Sequence, residues 1–300
     1  MDKLWRDPEE FLDFVETTSE VKQVPRGNTD VVYQRAFAAN CRFALNAECR
    51  FFLEGATGEP ANLDLEKWRP YHRWAARVQG GVDSVITFNY DLVLENLERC
   101  LRLHHNDEVS VAPFEVVEPS RLDIDLPAAP SPEAVPVYKL HGSVDWLVED
   151  PADAQRRFRR MALNESLEEV RDQAQKNPGQ TERKVDLLMG VPGPGKLRVS
   201  AWLAPLWQAA RRDLEQAEVV RFLGYRFPPT DAYARESLIA AIRNAQSRGC
   251  LRKVEVVLGP ESPDIPRMKK LLEYALGRDN HSKVEVVPVY CEDYLALFDD

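Results

Sequence analysis

The sequence predicts an α/β domain built on a parallel sheet, and three observations lead to this fold class. Short apolar segments of four to six residues recur from about residue 84 onward, as in strands that are covered on both faces. Amphipathic segments with helical periodicity separate most of them. The 300 residues are 44% hydrophobic and 29% charged, which is ordinary for a globular protein and excludes wholesale disorder. Alternating strands and helices favour an α/β domain with a parallel sheet.

Residues 1–82 are predicted to form a helical region that packs on or beside the sheet. Hydrophobic residues recur at helical spacing over Val31–Leu53 and again over Leu63–Gln79. The pair Gly80–Gly81 ends the second helix. The sheet domain is then expected to occupy residues 83–300.

Five apolar segments are the predicted strands, and four amphipathic segments are the helices between them. The strands are Ser84–Phe88, Val137–Leu140, Val219–Leu223, Val254–Leu258 and Val284–Val289, and the helices are Leu92–Leu103, Ala204–Glu215, Ala232–Ser247 and Ile265–Leu276. Two stretches interrupt the alternation. Residues 112–136 contain six prolines and are predicted to be an extended surface loop. Residues 151–184 are polar and charged, and they are predicted to be a helical insertion.

Charge and cysteine content exclude several classes of partner. The net charge of −10 repels nucleic acid and anionic membranes, so neither is expected as a direct partner. The basic run Arg156–Arg160 is predicted to be a solvated helix face. Five widely spaced cysteines form no C-x-x-C pair, which disfavours a zinc site or a disulfide framework. The sequence has no long apolar run and no signal-peptide pattern, so a cytoplasmic protein is expected.

Polar residues follow the predicted strands at the edge where parallel sheets bind ligands. Asn89-Tyr90-Asp91 follows the first strand, His141-Gly142 the second and Gly224-Tyr225 the third. An isolated Asn-x-Asp is typical of a helix cap, and a lone histidine is more often structural. Imidazole, however, titrates near pH 6.5 in general and suits a general base. Asp231 is predicted to cap the helix that follows it.

The motifs taken together resemble those of a known family. Thr87-Phe88-Asn89-Tyr90-Asp91, Lys139-Leu140-His141-Gly142-Ser143 with Trp146, and Phe222-Leu223-Gly224-Tyr225-Arg226-Phe227-Pro228 with Asp231 occur in this order between residues 80 and 300. They resemble the sirtuin-like domain family, and more closely its bacterial NAD-hydrolysing branch in antiphage defence. The resemblance implies a doubly wound, Rossmann-like parallel sheet with a helical small subdomain. Protein-deacylating sirtuins carry a four-cysteine zinc module that this sequence lacks, so the resemblance implies no zinc and NAD as the substrate.

The resemblance also implies roles for individual residues in cleavage of the nicotinamide–ribose bond. Asn89 would orient the water and the ribose, and His141 would accept the proton. Asp91 would bind near the nicotinamide end. The cofactor-binding set is completed by Tyr90, Gly142, Gly224 and Tyr225.

Members of this family have a glycine-rich diphosphate loop before the first of these motifs. Residues 1–80 contain no such loop after an apolar strand. The sequence is therefore expected to start past this element or to have lost it. Two alternatives remain open: a non-catalytic module that binds a nucleotide or a partner protein, and, less favoured, an NAD-dependent deacylase. A second copy of the chain or a defence protein is the macromolecular partner that the resemblance implies.

Overall fold

Nine strands and five α-helices form the part of the chain that the computed structural model describes, residues 65–97, 113–119, 131–150, 157–162, 184–190, 195–228 and 231–297. The strands are β1 Val85–Thr87, β2 Phe114–Val116, β3 Val135–Lys139, β4 Gly142–Asp150, β5 Arg157–Arg160, β6 Lys184–Met189, β7 Val219–Leu223, β8 Lys253–Val257 and β9 Val284–Val287. The helices are α1 Leu65–Ala75, α2 Gly195–Leu214, α3 Ala232–Ser247, α4 Ile265–Leu276 and α5 Cys291–Ala296, with a 3₁₀ helix over Arg278–Lys283. A further helical segment covers 93–97.

The strands form three sheets, two of which are parallel. The first parallel sheet has the order β1-β3-β2, and the second has the order β7-β8-β9. The third sheet is antiparallel, in the order β5-β4-β6. The prediction of an α/β fold with parallel strands is confirmed, and the predicted bounds of α3 and α4 agree with the structure.

The predicted surface loop over 112–136 is wrong at both of its ends. Residues 114–116 form β2, and β3 begins at Val135 with Pro136 buried inside it. Pro136 is tolerated in β3 because the residues on either side of it, Val135 and Val137, form the hydrogen bonds to the β2 segment. Val135 N–H donates to the Pro113 carbonyl, and the Val137 carbonyl accepts from Val117. In a parallel strand alternate residues bond to opposite sides, so the missing Pro136 donor faces β1, which begins only opposite Val137.

The helix predicted over the basic run is also wrong, because residues 157–160 form strand β5. The aromatic ring of Phe158 packs edge-on against buried Trp146 of β4, with 5.5 Å between centroids. The Arg160 guanidinium pairs with the carboxylate of Asp145, which also belongs to β4. Since both partners come from β4, the run is held by cross-strand pairs that local periodicity does not reveal. The predicted helix Val31–Leu53 lies outside the described residues, as do 120–130 and 163–183.

Two large hydrophobic clusters and smaller ones make up the core of the described residues, and β1 lies between the two large ones. One cluster gathers residues of β2, β3 and α2, including Val135, Val137 and Leu206. The other gathers residues of β7, β8, α3 and α4. Ile86 of β1 and Phe88, which directly follows it, pack against both clusters. The carboxyl end of β1 is therefore at the boundary between the two halves of the core.

Helix α5 is attached to β8 through a buried polar group. The Tyr294 hydroxyl donates to Glu255 Oε2 at 2.8 Å and accepts from Arg221 Nε at 3.1 Å. Burial, followed by the hydrogen bond to Glu255, raises the pKa of Tyr294 from its ordinary value of 10 to about 12. The hydroxyl therefore loses its proton less readily in the folded protein than in the unfolded chain.

Replacing Tyr294 by phenylalanine should flatten the loss of stability at high pH. A raised folded-state pKa contributes stability that is complete below pH 10 and is lost as the pH rises to about 12. Chemical denaturation at pH 8 and pH 11.5 should show about 2 kcal/mol less pH dependence in Tyr294→Phe than in the wild type. Tyr274→Phe, at a side chain that is 79% exposed, should retain the wild-type dependence. Identical pH dependence in all three proteins would contradict this assignment.

Within the residues that the structure describes, no helix has the length and apolar character that a membrane crossing needs.

Candidate functional site

The carboxyl ends of β1, β3 and β7 come together, and the residues that follow them are in direct contact. The rings of Phe88 and Tyr225 stack with 4.4 Å between centroids at 17°. The His141 imidazole meets the Phe88 ring edge-on at 4.8 Å. Three segments that are far apart in the sequence therefore share one site at the boundary of the two core clusters.

The backbone around His141 is fixed from three directions. Leu140 N–H donates to the Thr87 carbonyl of β1 at 3.0 Å, and the Leu140 carbonyl accepts from the Trp207 indole of α2 at 3.1 Å. The His141 carbonyl accepts from Gly190 N–H, after β6, at 2.7 Å. These bonds join the strand end to two neighbouring strands and one helix, so they leave the imidazole little freedom of position.

The side chain of His141 is nearly buried and has an acidic partner. Its exposed fraction is 12%, and its Nε2 lies 3.0 Å from Oδ2 of Asp231, whose side chain is 5% exposed. The Tyr225 hydroxyl donates to the same Oδ2 at 3.3 Å. The Tyr90 ring lies nearly parallel to the imidazole at 6.2 Å. An imidazole with a carboxylate on one nitrogen is the arrangement of an oriented general base.

Asp231 is the site residue to which sequence reasoning assigned helix capping instead of a role in the site. It does occupy the N-cap position of α3, but its side chain makes no capping hydrogen bond to that helix. The carboxylate turns instead towards His141 and Tyr225. An aspartate before a helix has the same sequence signature in either role, and only the fold brings residue 231 next to residue 141. Its position six residues after Tyr225 is the one local signal that connects it to a site motif.

The segment 224–228 after β7, which carries Tyr225, has an uncommon backbone. Gly224 has φ of +69°, and Phe227, which is fully buried, has φ of +49°. A positive φ is a genuine outlier for a bulky residue, and it persists only where the surroundings enforce it. Arg267 of α4 supplies part of that enforcement by donating to the carbonyls of Arg226 and Phe227. The loop is thus held in a shape that aims Tyr225 at the site.

Gly142, which is predicted to bind the cofactor, is in close contact with the backbone of β6. Its φ is +82°, and a Cβ built on it would lie 1.9 Å from the Leu188 carbonyl oxygen of β6. The close approach is therefore that of a neighbouring backbone. Gly224 is exposed, and a Cβ there would lie 3.4 Å from Cys291 Sγ. Of the two predicted glycines, Gly224 is the exposed one.

The Asn89–Asp91 segment begins with an exposed side chain and ends with a helix cap. Asn89 is exposed, and its N–H donates to Thr87 Oγ1 at 3.1 Å. The Tyr90 hydroxyl donates to the Gly190 carbonyl at 2.9 Å. Asp91 Oδ1 accepts from Val93 N–H at 3.0 Å, which caps the helical segment 93–97. The structure therefore leaves the Asn89 amide available to a ligand and gives Asp91 at least one structural role.

A buried lysine anchors this segment to β3. Lys139 is 2% exposed, and its Nζ donates to Glu95 Oε1 and to Ser143 Oγ, both at 2.8 Å. It also donates to the backbone carbonyl of Asp91. Arg160 of β5 lies 3.8 Å from the same Glu95 oxygen. Lys139 and Ser143 thus belong to a polar network that connects the segment 89–95, after β1, to the strand that precedes His141.

Comparisons with known proteins do not identify a family. No family model and no curated protein matches the sequence. In the described part of the chain, no group of three or more histidine, cysteine, aspartate or glutamate side chains is arranged to hold a metal ion.

Proposed function

We propose that the chain is a sirtuin-like NAD glycohydrolase, with its active site at the carboxyl ends of β1, β3 and β7. The observation that carries the proposal is the contact among the three motif segments, in which Phe88 lies against both Tyr225 and His141. Carboxyl ends of parallel strands are where α/β sheets bind nucleotides. The exposed Asn89 and Gly224 lie at the same edge.

The proposal includes a doubly wound sheet of the sirtuin type. Strands β1 and β7 would be the inner strands of its two halves, because Phe88 and Tyr225, the residues that follow them, stack on each other. Each half is a parallel sheet whose order is consistent with this reading. In such a sheet a ligand binds in the crevice where the two halves meet.

The reaction is hydrolysis of the N-glycosidic bond of NAD. The bond between the ribose carbon and the pyridinium nitrogen breaks, and its electron pair neutralises the pyridinium, so nicotinamide leaves as a neutral molecule. A water oxygen bonds to the ribose carbon, and its proton passes to His141. Positive charge develops on the ribose in the transition state, as in glycoside hydrolysis. The products are nicotinamide, ADP-ribose and a proton.

The remaining residues are assigned positioning and binding roles. Asn89, with its exposed amide, would orient the water and the ribose. Asp91 and Tyr90 would lie near the nicotinamide end. Gly224 and Tyr225 would lie against the ribose, where the small residue gives the ligand room. Depletion of NAD during phage infection is the biological role that follows from the proposal, with a second copy of the chain or a defence protein as partner.

Incubation of the protein with NAD should release nicotinamide, which chromatography quantifies. Asn89→Ala should lower the rate by about 100-fold, because misplacing a reactant by about 1 Å costs a factor of this size. Asn280→Ala is the matched control, since Asn280 lies beyond α4 and bonds to Gln246 and the Leu276 carbonyl. It should retain the wild-type rate. Binding of NAD without release would favour the non-catalytic module, and release only with an acyl-lysine peptide would indicate a deacylase.

A further inference from the structure

We propose that Asp231 is the positioning residue for His141. The Asp231 carboxylate fixes the tautomer of the imidazole, so that Nδ1 of His141, rather than Nε2, accepts the proton. The proposal rests on the proposed function for its kinetic consequence, but the pairing itself is testable without any substrate. A carboxylate only accepts hydrogen bonds. The 3.0 Å contact between His141 Nε2 and Asp231 Oδ2 therefore places a hydrogen on Nε2 and leaves Nδ1 as the acceptor.

The position of Asp231 favours an ionised carboxylate even though the residue is 4% exposed. It precedes the first residue of α3, a helix of 16 residues whose N-terminus carries partial positive charge. Its backbone carbonyl accepts from Arg235 N–H, so the residue belongs to the helix end while its side chain does not cap it. The N-terminus of α3 thus stabilises the negative charge of the Asp231 carboxylate, which lies against the His141 imidazole.

The carboxylate is held on its target by groups from separate elements. Tyr225, which stacks on Phe88, donates to the oxygen that faces His141. Asp231 N–H donates to the Pro228 carbonyl at 3.0 Å, which joins the start of α3 to Pro228. The strained Phe227 and the Arg267 contacts hold the preceding loop. A carboxylate with so little freedom loses little entropy when the imidazole binds it.

The pairing matters most after His141 has accepted a proton. The imidazolium formed in the low-exposure site would otherwise be a nearly buried charge without compensation. Asp231 forms a charge-assisted hydrogen bond with it, which is about twice as strong as a neutral one. Because this bond strengthens as the proton arrives, its loss should lower kcat and leave KM for NAD nearly unchanged.

The spectroscopic test is the imidazole Nε2–H proton in the NMR spectrum of ¹⁵N-labelled protein. A carboxylate-bonded, nearly buried imidazole should give a downfield resonance that exchanges slowly with water, and His141→Gln identifies it by its disappearance. In Asp231→Asn the resonance should move upfield, because a neutral acceptor forms a weaker bond.

The kinetic test is nicotinamide release, in which Asp231→Asn should lower kcat about 10- to 1,000-fold with KM within about twofold.

Glu255→Gln is the matched control for loss of a buried carboxylate. Glu255 also accepts from a tyrosine hydroxyl and a cationic side chain, Tyr294 and Arg221, but it lies inside β8. It should lose stability while keeping the His141 resonance and kcat. An unmoved resonance in Asp231→Asn, or wild-type kcat in a folded Asp231→Asn, would overturn the proposal. If the wild type does not cleave NAD, the proposed function fails, and the resonance still decides whether Asp231 positions His141.

Discussion

Replacing His141 by glutamine should lower the rate of nicotinamide release from NAD by about 100- to 10,000-fold, the usual contribution of a general base. Glutamine keeps a polar side chain of similar reach but cannot accept and hold a proton at neutral pH. The backbone bonds that fix residue 141 involve the Leu140 and His141 main chain, so they survive the substitution. Circular dichroism and the unfolding midpoint should therefore stay close to those of the wild type.

His281→Gln is the matched control for this substitution. His281 lies in the 3₁₀ helix between α4 and β9, away from the carboxyl ends of β1 and β3. Its replacement should leave nicotinamide release unchanged. Equal rates of nicotinamide release in His141→Gln and the wild type would show that His141 is not the general base.

Replacing Lys139 by methionine should destabilise the protein by about 3–5 kcal/mol, the cost of removing one partner from a buried ion pair. Methionine retains most of the length of the lysine stem, so the loss arises from the charge. The change would leave Ser143 and the Asp91 carbonyl without their donor and Glu95 facing the more distant Arg160 guanidinium. Urea denaturation followed by tryptophan fluorescence measures the free energy of unfolding.

Lys270→Met controls for the general effect of this substitution, because Lys270 is exposed on α4. It should change the free energy of unfolding by less than about 0.5 kcal/mol. A similarly small effect of Lys139→Met would mean that the network around Glu95 does not anchor the segment 89–95. The Lys139→Met protein that remains folded should also release nicotinamide more slowly, because the Asn89 loop loses its attachment to β3.

The regular part of the fold could be predicted from the sequence because its signals are local. The α3 and α4 segments have apolar residues at helical spacing, and β7 and β8 are apolar and bounded by turn residues. Strand β5 could not be predicted, since its arginines are stabilised by Asp145 and by the ladder with β4. Strand β2 was hidden by the prolines around it, and Pro136 of its partner β3 is compatible with their ladder because its missing donor faces away from β2.

The candidate site was predictable where its residues directly follow strands, as His141 and Tyr225 do. Asp231 was assigned to helix capping because a helix-start aspartate has that role in most proteins. Its contact with His141 spans 90 positions and depends on how Tyr225, after β7, packs against Phe88, after β1, which no local pattern encodes. Gly142 was predicted to bind the cofactor, and its close contact with the Leu188 carbonyl of β6 has no signature in the sequence. Lys139 was read as part of a motif, but its burial beside Glu95 follows only from the fold.

A single-turnover reaction is the most direct test that the carboxyl ends of β1, β3 and β7 form a site for NAD cleavage. Protein in excess over NAD removes any dependence on product release, and chromatography quantifies both products over time. The proposed chemistry predicts nicotinamide and ADP-ribose in equal amounts with the wild type, and a rate lowered at least about 100-fold with His141→Gln. NAD that remains intact with excess wild-type protein, or is consumed equally fast by His141→Gln, would contradict it.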